Sequence, residues 1–316
     1  MKKVLILFGG NSYEHEISCK SVNFVIKNID TDLFCYSLVG IDFNNDWYKV
    51  SSNKDVNIKW KDDVVEKIDN IIEYCKGFDI VFPLIHGNTC EDGKLQSMFE
   101  LFNIKYVGSN SYSSLISYDK YLCKVILEKY DIPQIEYGLE NNLDYPVIIK
   151  PSKCGSSIGI NVARNENEFN KYIDIAKRYD DIVVIEKYIE SRRELECAIL
   201  EVGNELMVSD VGEIVVDDWY DYDSKYERDT KTIISDIDDN IKNKVKEYSK
   251  YIFKLLGCKD FARVDFLYDV ERDKLYFNEI NTIPGFTEIS MYPKLIKYSG
   301  INYMDLISIL INNCFD

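Results

Sequence analysis

The sequence predicts an α/β fold with more than one domain, and three observations carry that prediction. In the N-terminal third, apolar runs that end in glycine-bearing turns alternate with segments of helical periodicity. Near the C-terminus, Phe261 to Tyr268 and Leu275 to Asn281 are rich in aromatic and β-branched residues, and both runs alternate. The polar stretch Asp269 to Lys274 between them reads as a hairpin loop. Finally, the chain has 316 residues, 46% of them hydrophobic, which suggests two or three domains with real cores.

Residues 3–8 form an apolar strand followed by Gly9-Gly10-Asn11-Ser12, and a helix follows with Val22, Val25, Ile26 and Ile29 at helical spacing. Further strands are expected at Phe34 to Ile41 and at Phe78 to Ile85. The latter runs into His86-Gly87 and Glu91-Asp92-Gly93, then a helix with Leu95, Met98, Phe99 and Phe102 on one face. This alternation predicts a parallel sheet, in which ligands bind beyond the carboxyl ends of the strands. Loops 9–16 and 86–93 both sit at such ends. A single helix is expected over 113–130, with a domain boundary between about 105 and 115. Then come strands at 145–150, 182–189, 194–200 and 205–216, a polar, aromatic loop over 217–236, and a helix over 237–256. After the hairpin, two helical segments close the chain.

Net charge is −16 with a pI near 4.7, which argues against nucleic-acid or anionic-membrane partners. No apolar stretch approaches the length of a membrane span, and the first run is too short for a signal peptide. Nine cysteines without a Cys-x-x-Cys pair read as free thiols in a cytoplasmic protein, and two histidines disfavour zinc.

If the hairpin turn centres on Arg272, Asp265 pairs with Glu279 and Arg263 with Asn281, and alternation puts all four on one face. Two carboxylates and an amide oxygen are hard ligands suited to Mg²⁺, although an isolated hairpin with this pattern is equally a solvated, salt-bridged face. Thr282-Ile283-Pro284-Gly285 then turns sharply and presents backbone N–H groups beside the acids. The strand ending at Lys150 leads into Cys154-Gly155-Ser156-Ser157-Ile158-Gly159. A Gly/Ser loop of this kind offers N–H groups to phosphate oxygens, though alone it is as readily a flexible hairpin tip. Glu14, at a helix start, fits either an ammonium-binding carboxylate or an acid favoured by the helix dipole. His86 alone could be an ordinary loop histidine.

Together these segments resemble the D-alanine–D-alanine ligase family of ATP-grasp enzymes. The resemblance rests on Gly9-Gly10-x-Ser12-x-Glu14-His15-Glu16-x-Ser18, His86-Gly87-x-x-x-Glu91-Asp92-Gly93, Asp119-Lys120 and Lys150-Pro151-x-x-x-Gly155-Ser156-Ser157-x-Gly159. It continues through Tyr220-Asp221-Tyr222-x-x-Lys225-Tyr226, Ala262-Arg263-Val264-Asp265 and Asn278-Glu279-x-Asn281-Thr282-x-Pro284-Gly285-x-Thr287-x-x-Ser290. Each motif is weak alone, but all seven fall in family order across nearly the whole chain.

The resemblance implies a three-domain ATP-grasp architecture. Residues 1–110 would form an N-terminal parallel α/β domain, and 111–203 and 204–316 would be central and C-terminal domains clamping ATP, with a lid at 217–236. It also implies roles. Lys120 and Lys150 would touch the phosphates under the Ser156-Ser157 loop, Glu186, Lys187, Tyr188 and Ile189 would line the adenine slot, and Glu194 would bind the ribose. Asp265, Glu279 and Asn281 would hold two Mg²⁺, with Mn²⁺ as a substitute. Glu14 would hold the ammonium of the first D-alanine near His86, linked to Ser156 and Tyr226. Lys225 and Ser290, with Met291 alongside, would meet the second substrate, and Arg263 and the Gly285 N–H would stabilise the oxyanion. The implied reaction is ATP-dependent joining of two D-alanines for peptidoglycan precursor synthesis by a cytoplasmic homodimer.

Departures from the family pattern are Cys90, Ser97, Cys154, Met291 and the run Arg192-Arg193-Glu194-Leu195-Glu196-Cys197, which loosens the Glu194 assignment. The alternative is a D-alanine–D-serine ligase of the vancomycin-resistance type, which the Glu-Cys-Ala-Ile run resembles. Tyr226 disfavours the D-lactate type, and the intact Arg263, Asp265, Glu279, Asn281 and paired lysines disfavour a non-catalytic regulatory relic.

Overall fold

The computed structural model describes residues 1–51, 55–62, 65–203, 205–214 and 232–315. The first of its three sheets contains β1 (Lys2–Gly9), β2 (Phe34–Ile41), β3 (Trp47–Val50), β4 (Glu66–Lys67) and β5 (Ile80–Pro83), in the order β4-β3-β2-β1-β5. Strand β1 lies parallel to both β2 and β5, and Val4 through Phe8 are fully buried, as a central parallel strand requires. The expected parallel sheet is therefore its centre, while β3 and β4 add an antiparallel edge. These strands have only four and two residues, so their sequence carries little alternation. Helices α1 (His15–Asn28), α2 (Ile71–Lys76) and α3 (Lys94–Leu101) complete this region.

The single helix expected over 113–130 is instead α4 (Ser111–Tyr118) and α5 (Lys120–Glu128). Asp119 breaks it with an extended backbone, ψ 99°, and its carboxylate caps α5 by accepting the Leu122 N–H at 3.1 Å. It also accepts the Ser152 hydroxyl at 2.6 Å, so the break seats α5 on the strand that precedes the Gly/Ser loop.

The second sheet, order β6-β9-β7-β8, comprises β6 (Tyr137–Gly138), β7 (Val147–Pro151), β8 (Asn161–Ala163) and β9 (Val183–Lys187), with α6 (Glu166–Ala176) against it. The third comprises β10 (Arg192–Val202), β11 (Glu205–Ile214), β12 (Thr232–Ile234), β13 (Phe261–Asp269) and β14 (Lys274–Asn281), in the order β12-β11-β10-β13-β14. Helices α7 (Asp239–Leu255), α8 (Met291–Tyr298) and α9 (Tyr303–Asn313) pack with it. Both sheets are antiparallel throughout. Strand β10 pairs with β11 and β13, so a boundary after residue 203 would cut the β10–β11 hairpin. Strand β12 occupies part of the loop expected over 217–236, and residues 217–231 of that stretch lie outside the described residues.

The first and third sheets share one core, in which Val4, Ile6 and Phe8 lie in the same cluster as Leu200, Phe261 and Leu295. Phe286 is its hub, with ring centroids 5.8 Å from Phe24, 6.2 Å from Phe82, 6.0 Å from Phe261 and 5.9 Å from Tyr292. Buried aromatic contacts of this kind hold the Pro284-Gly285 turn against the N-terminal sheet. No helix among the described residues is long and apolar enough to cross a membrane.

Asp260 is buried at the same junction and accepts the Gly108 N–H at 2.6 Å. Burial pushes its carboxyl up to about 6. Ionising it in the folded state therefore costs stability, and the cost grows as pH rises from about 4 through 6 and vanishes below both values. Asp260→Asn keeps an acceptor and suits the left-handed backbone, φ +63°. The variant is expected to gain roughly 1–3 kcal/mol at pH 8 and nothing near pH 4. Equal melting of both proteins at pH 8 would contradict this.

Candidate active site

The site begins with the β13–β14 hairpin, where Asp265 lies opposite Glu279 and Arg263 opposite Asn281, the pairing expected from the sequence. It is reached by a different route. At the tip Asp269 pairs with Lys274, which centres the turn one half-step earlier, and an irregularity between Asp265 and Phe266 restores the expected pairs. The extra residue is Asn278, and its amide oxygen accepts the Lys150 ammonium at 3.1 Å.

Arg263 clamps Asp265 with two hydrogen bonds of 2.7 Å and reaches Glu196 on β10 at 3.1 Å. Burial alone would lower the Arg263 pKa, but Asp265 and Glu196 hold it well above its usual value, so the group is fixed as a cation. Asn281 donates to Asp265 at 3.1 Å, and the Lys120 ammonium lies 3.3 Å from Glu279. Cations thus already balance both carboxylates. Among the described residues no three His, Cys, Asp or Glu side chains form a metal-holding group. Two carboxylates with one amide oxygen nevertheless fit Mg²⁺, which takes one or two carboxylates and completes its shell with water and phosphate oxygens.

Between β7 and β8, Ser156 and Ser157 take successive left-handed conformations, φ +51° and +58°. Non-glycine residues rarely do so, and a loop built this way turns backbone N–H groups toward one point. The Ser156 hydroxyl donates to Glu14 Oε1, bridging the second sheet to the loop after β1. A Cβ at Gly155 would stand 2.7 Å from Glu14 Oε2 and would displace that carboxylate. Lys120, at the start of α5, donates to the Cys154 carbonyl at 2.8 Å.

Glu14 is fixed from its own side as well. Ser12 accepts its N–H at 3.1 Å and donates to the His86 carbonyl at 2.7 Å. His15 packs against Phe43 with centroids 4.4 Å apart, and its Nδ1 lies 2.8 Å from the Gly10 carbonyl. Trp60 donates to His15 Nε2 at 3.2 Å, so the ring is the neutral Nδ1–H tautomer. His86 is likewise committed. Its Nδ1 donates to the Ile283 carbonyl at 3.0 Å and its Nε2 accepts the Ser21 hydroxyl at 2.9 Å. Burial lowers the His86 pKa, which keeps it neutral.

One cavity collects Glu14, His86, Ser156, Arg263, Gly285, Ser290 and Met291. Ser290 accepts the Thr287 N–H at 3.1 Å, which closes the turn above α8. Sequence reasoning missed three further acids lining the cavity, Glu91, Glu196 and Glu213. Burial and then Glu14 raise the Glu91 pKa well above its usual range. Glu91 was visible in its motif without a role, whereas Glu196 shows its place only through the β10–β13 pairing opposite Asp265.

A second cleft, between the second and third sheets, is walled by Ile148, Ile160 and Leu267 and rimmed by Lys150, Ser157 and Glu194. Arg192 bonds Glu194 at 3.0 Å and lies 4.8 Å from the centre of the Tyr188 ring. The cavity and the cleft share Lys120, Gly155, Ser156 and Glu279 as a common wall. Of the residues expected along the adenine slot, Glu186 turns into the interior and Lys187 donates to the Asp144 carbonyl at 2.5 Å. Ile189 is buried among Ile135, Leu267 and Tyr276. Lys225 and Tyr226 lie outside the described residues.

Two facing antiparallel sheets with lysines and a Gly/Ser loop between them, next to a parallel α/β region, define an ATP-grasp protein. The family profiles "D-ala D-ala ligase N-terminus" and "D-ala D-ala ligase C-terminus" match residues 3–109 and 124–312. A D-alanine–D-alanine ligase from Acetivibrio thermocellus is 39% identical over 98% of this chain and 95% of its own length. The VanG D-Ala:D-Ser ligase from Enterococcus faecalis superposes with a TM-score of 0.87 at 33% identity, covering 99% of both chains. The D-alanine–D-alanine ligase from Bacillus anthracis, solved with ATP, gives 0.77 at 27% identity over 100% of this chain and 98% of its own. The chain belongs to the D-alanine–D-alanine ligase family.

Proposed function

We propose that this protein joins two D-alanines at the expense of ATP, through an acyl phosphate, to make the D-alanyl-D-alanine of peptidoglycan precursors. The observation that carries this reading is the common wall, where Lys120, Ser156 and Glu279 border the Glu14 cavity and the Lys150 cleft at once. Only there can a γ-phosphoryl group in one compartment meet a carboxylate in the other.

In this reading a carboxylate oxygen of the first D-alanine bonds to the γ-phosphorus and ADP leaves. Glu14 holds that D-alanine's ammonium, and Ser156 fixes Glu14. Lys120 and Lys150 neutralise phosphate charge, with the Ser156-Ser157 loop over the phosphates and Glu194 at the ribose. The carboxylates of Asp265 and Glu279 with the Asn281 oxygen would hold Mg²⁺, which when bound neutralises phosphate charge. The neutral amine of the second D-alanine then attacks the acyl carbon, the C–O bond to phosphate breaks, and the nitrogen loses a proton. Arg263 and the Gly285 N–H face the developing oxyanion, and such a donor contributes about 3 kcal/mol. Ser290 meets the second carboxylate beside Met291, with Lys225 and Tyr226 from the lid. His86 acts by tethering the Ile283–Gly285 turn, since its ring nitrogens are already engaged. We place the protein in the cytoplasm as a homodimer with three domains.

Purified protein with ATP, Mg²⁺ and D-alanine is expected to release phosphate and form D-alanyl-D-alanine in equal amounts. Supplying D-serine with D-alanine tests the alternative acceptor. Predominant D-alanyl-D-serine would overturn the acceptor, and phosphate release indifferent to either amino acid would overturn the reading.

A further inference from the structure

Lys124 has no role in the mechanism above, yet it is among the largest fully buried side chains of the protein. It lies one helical turn beyond Lys120 on α5, and its ammonium lies 3.1 Å from Glu186 Oε1. The other oxygen of the same carboxylate accepts Lys150 at 2.7 Å. Tyr137 offers its ring face at 5.3 Å and contributes no charge. Glu186 is buried as well, but the two lysines overcome that burial and hold its pKa at about 2. Of the three groups, only Lys150 lines the nucleotide cleft.

A buried carboxylate bonded to Lys150 alone would form a neutral pair, and the cleft would face no net charge from it. Two ammonium groups sharing one carboxylate leave a single positive charge. The only member able to present it to a ligand is Lys150. We infer that Lys124 is a positioning residue: its ammonium pairs with the far oxygen of Glu186, fixes the carboxylate that aims Lys150, and leaves Lys150 with uncompensated charge for the phosphates of ATP. The inference rests on the proposed nucleotide site. Its chemistry predicts that the effect is specific to phosphate charge, because Lys124 lies behind the cleft and touches no part of it.

The test compares Lys124→Met with the double variant Lys124→Met/Glu186→Gln. The single change removes one buried cation and leaves Lys150 neutralised by Glu186. The double change removes the carboxylate too and restores one net positive charge. Lys124→Met is expected to weaken ATP binding about tenfold or more while adenosine, which lacks phosphates, binds within about twofold of wild type. The double variant is expected to recover ATP affinity to within about threefold of wild type. Wild-type ATP affinity in Lys124→Met, an equal loss for ATP and adenosine, or no recovery in the double variant would each overturn the role of Lys124. A wild-type protein that does not bind ATP would instead overturn the nucleotide site, and the role of Lys124 with it.

Discussion

Glu279→Ala is expected to leave the fold intact and to reduce Mg²⁺-dependent turnover by roughly a hundred- to thousandfold or more. The fold survives because the Glu279 side chain is part-exposed, with 24% of its area accessible, at the common wall of the two cavities. Removing it leaves Lys120 bonded to the Cys154 carbonyl. Turnover falls because the change removes one of the two carboxylates proposed to hold Mg²⁺ and unbalances Lys120 at the proposed point of phosphoryl transfer. Phosphate release as a function of Mg²⁺ concentration, together with a melting curve, checks both halves. Activity within tenfold of wild type would take Glu279 out of the metal site.

Glu14→Gln is the second large effect. Glutamine keeps an oxygen to accept the Ser156 hydroxyl, so the bridge between the N-terminal loop and the Gly/Ser loop can persist while the charge is lost. The change therefore isolates the ammonium interaction. A charge-assisted hydrogen bond of this kind is worth roughly 1.5–3 kcal/mol, so kcat/KM for D-alanine is expected to fall about ten- to a hundredfold. ATP affinity should barely move, because Glu14 does not line the cleft proposed for the nucleotide. Unchanged D-alanine kinetics would return Glu14 to the part of an acid at the start of α1.

Much of this site was legible because its residues sit at the ends of strongly patterned strands. The continuous apolar run of β1 points to the Glu14 loop, and alternation along the β13 and β14 runs puts Asp265 and Glu279 on one face. The hairpin pairing was reached through a symmetric turn, whereas the structure uses a shorter tip and a bulge. Nothing local at Asn278 signals that bulge, since its partner Lys150 is distant in sequence. The same reason hides Glu196, which meets Arg263 only across a strand pairing, and Lys124, whose partner Glu186 comes from another element. The split between α4 and α5 was recoverable: Asp119 followed by a fresh apolar stripe is an N-cap pattern, but the stripes on either side are similar enough to read as one helix. The edge strands β3 and β4 are too short for periodicity to reveal.

The proposed reaction turns on an acyl phosphate formed on the first D-alanine. The most direct measurement uses D-alanine labelled with ¹⁸O in both carboxylate oxygens, with ATP and Mg²⁺, and reads the released phosphate by mass spectrometry. The oxygen that bonds to the γ-phosphorus must depart with it when the amine displaces phosphate. One ¹⁸O atom is expected in each phosphate released. Unlabelled phosphate accompanying the formation of D-alanyl-D-alanine would contradict it.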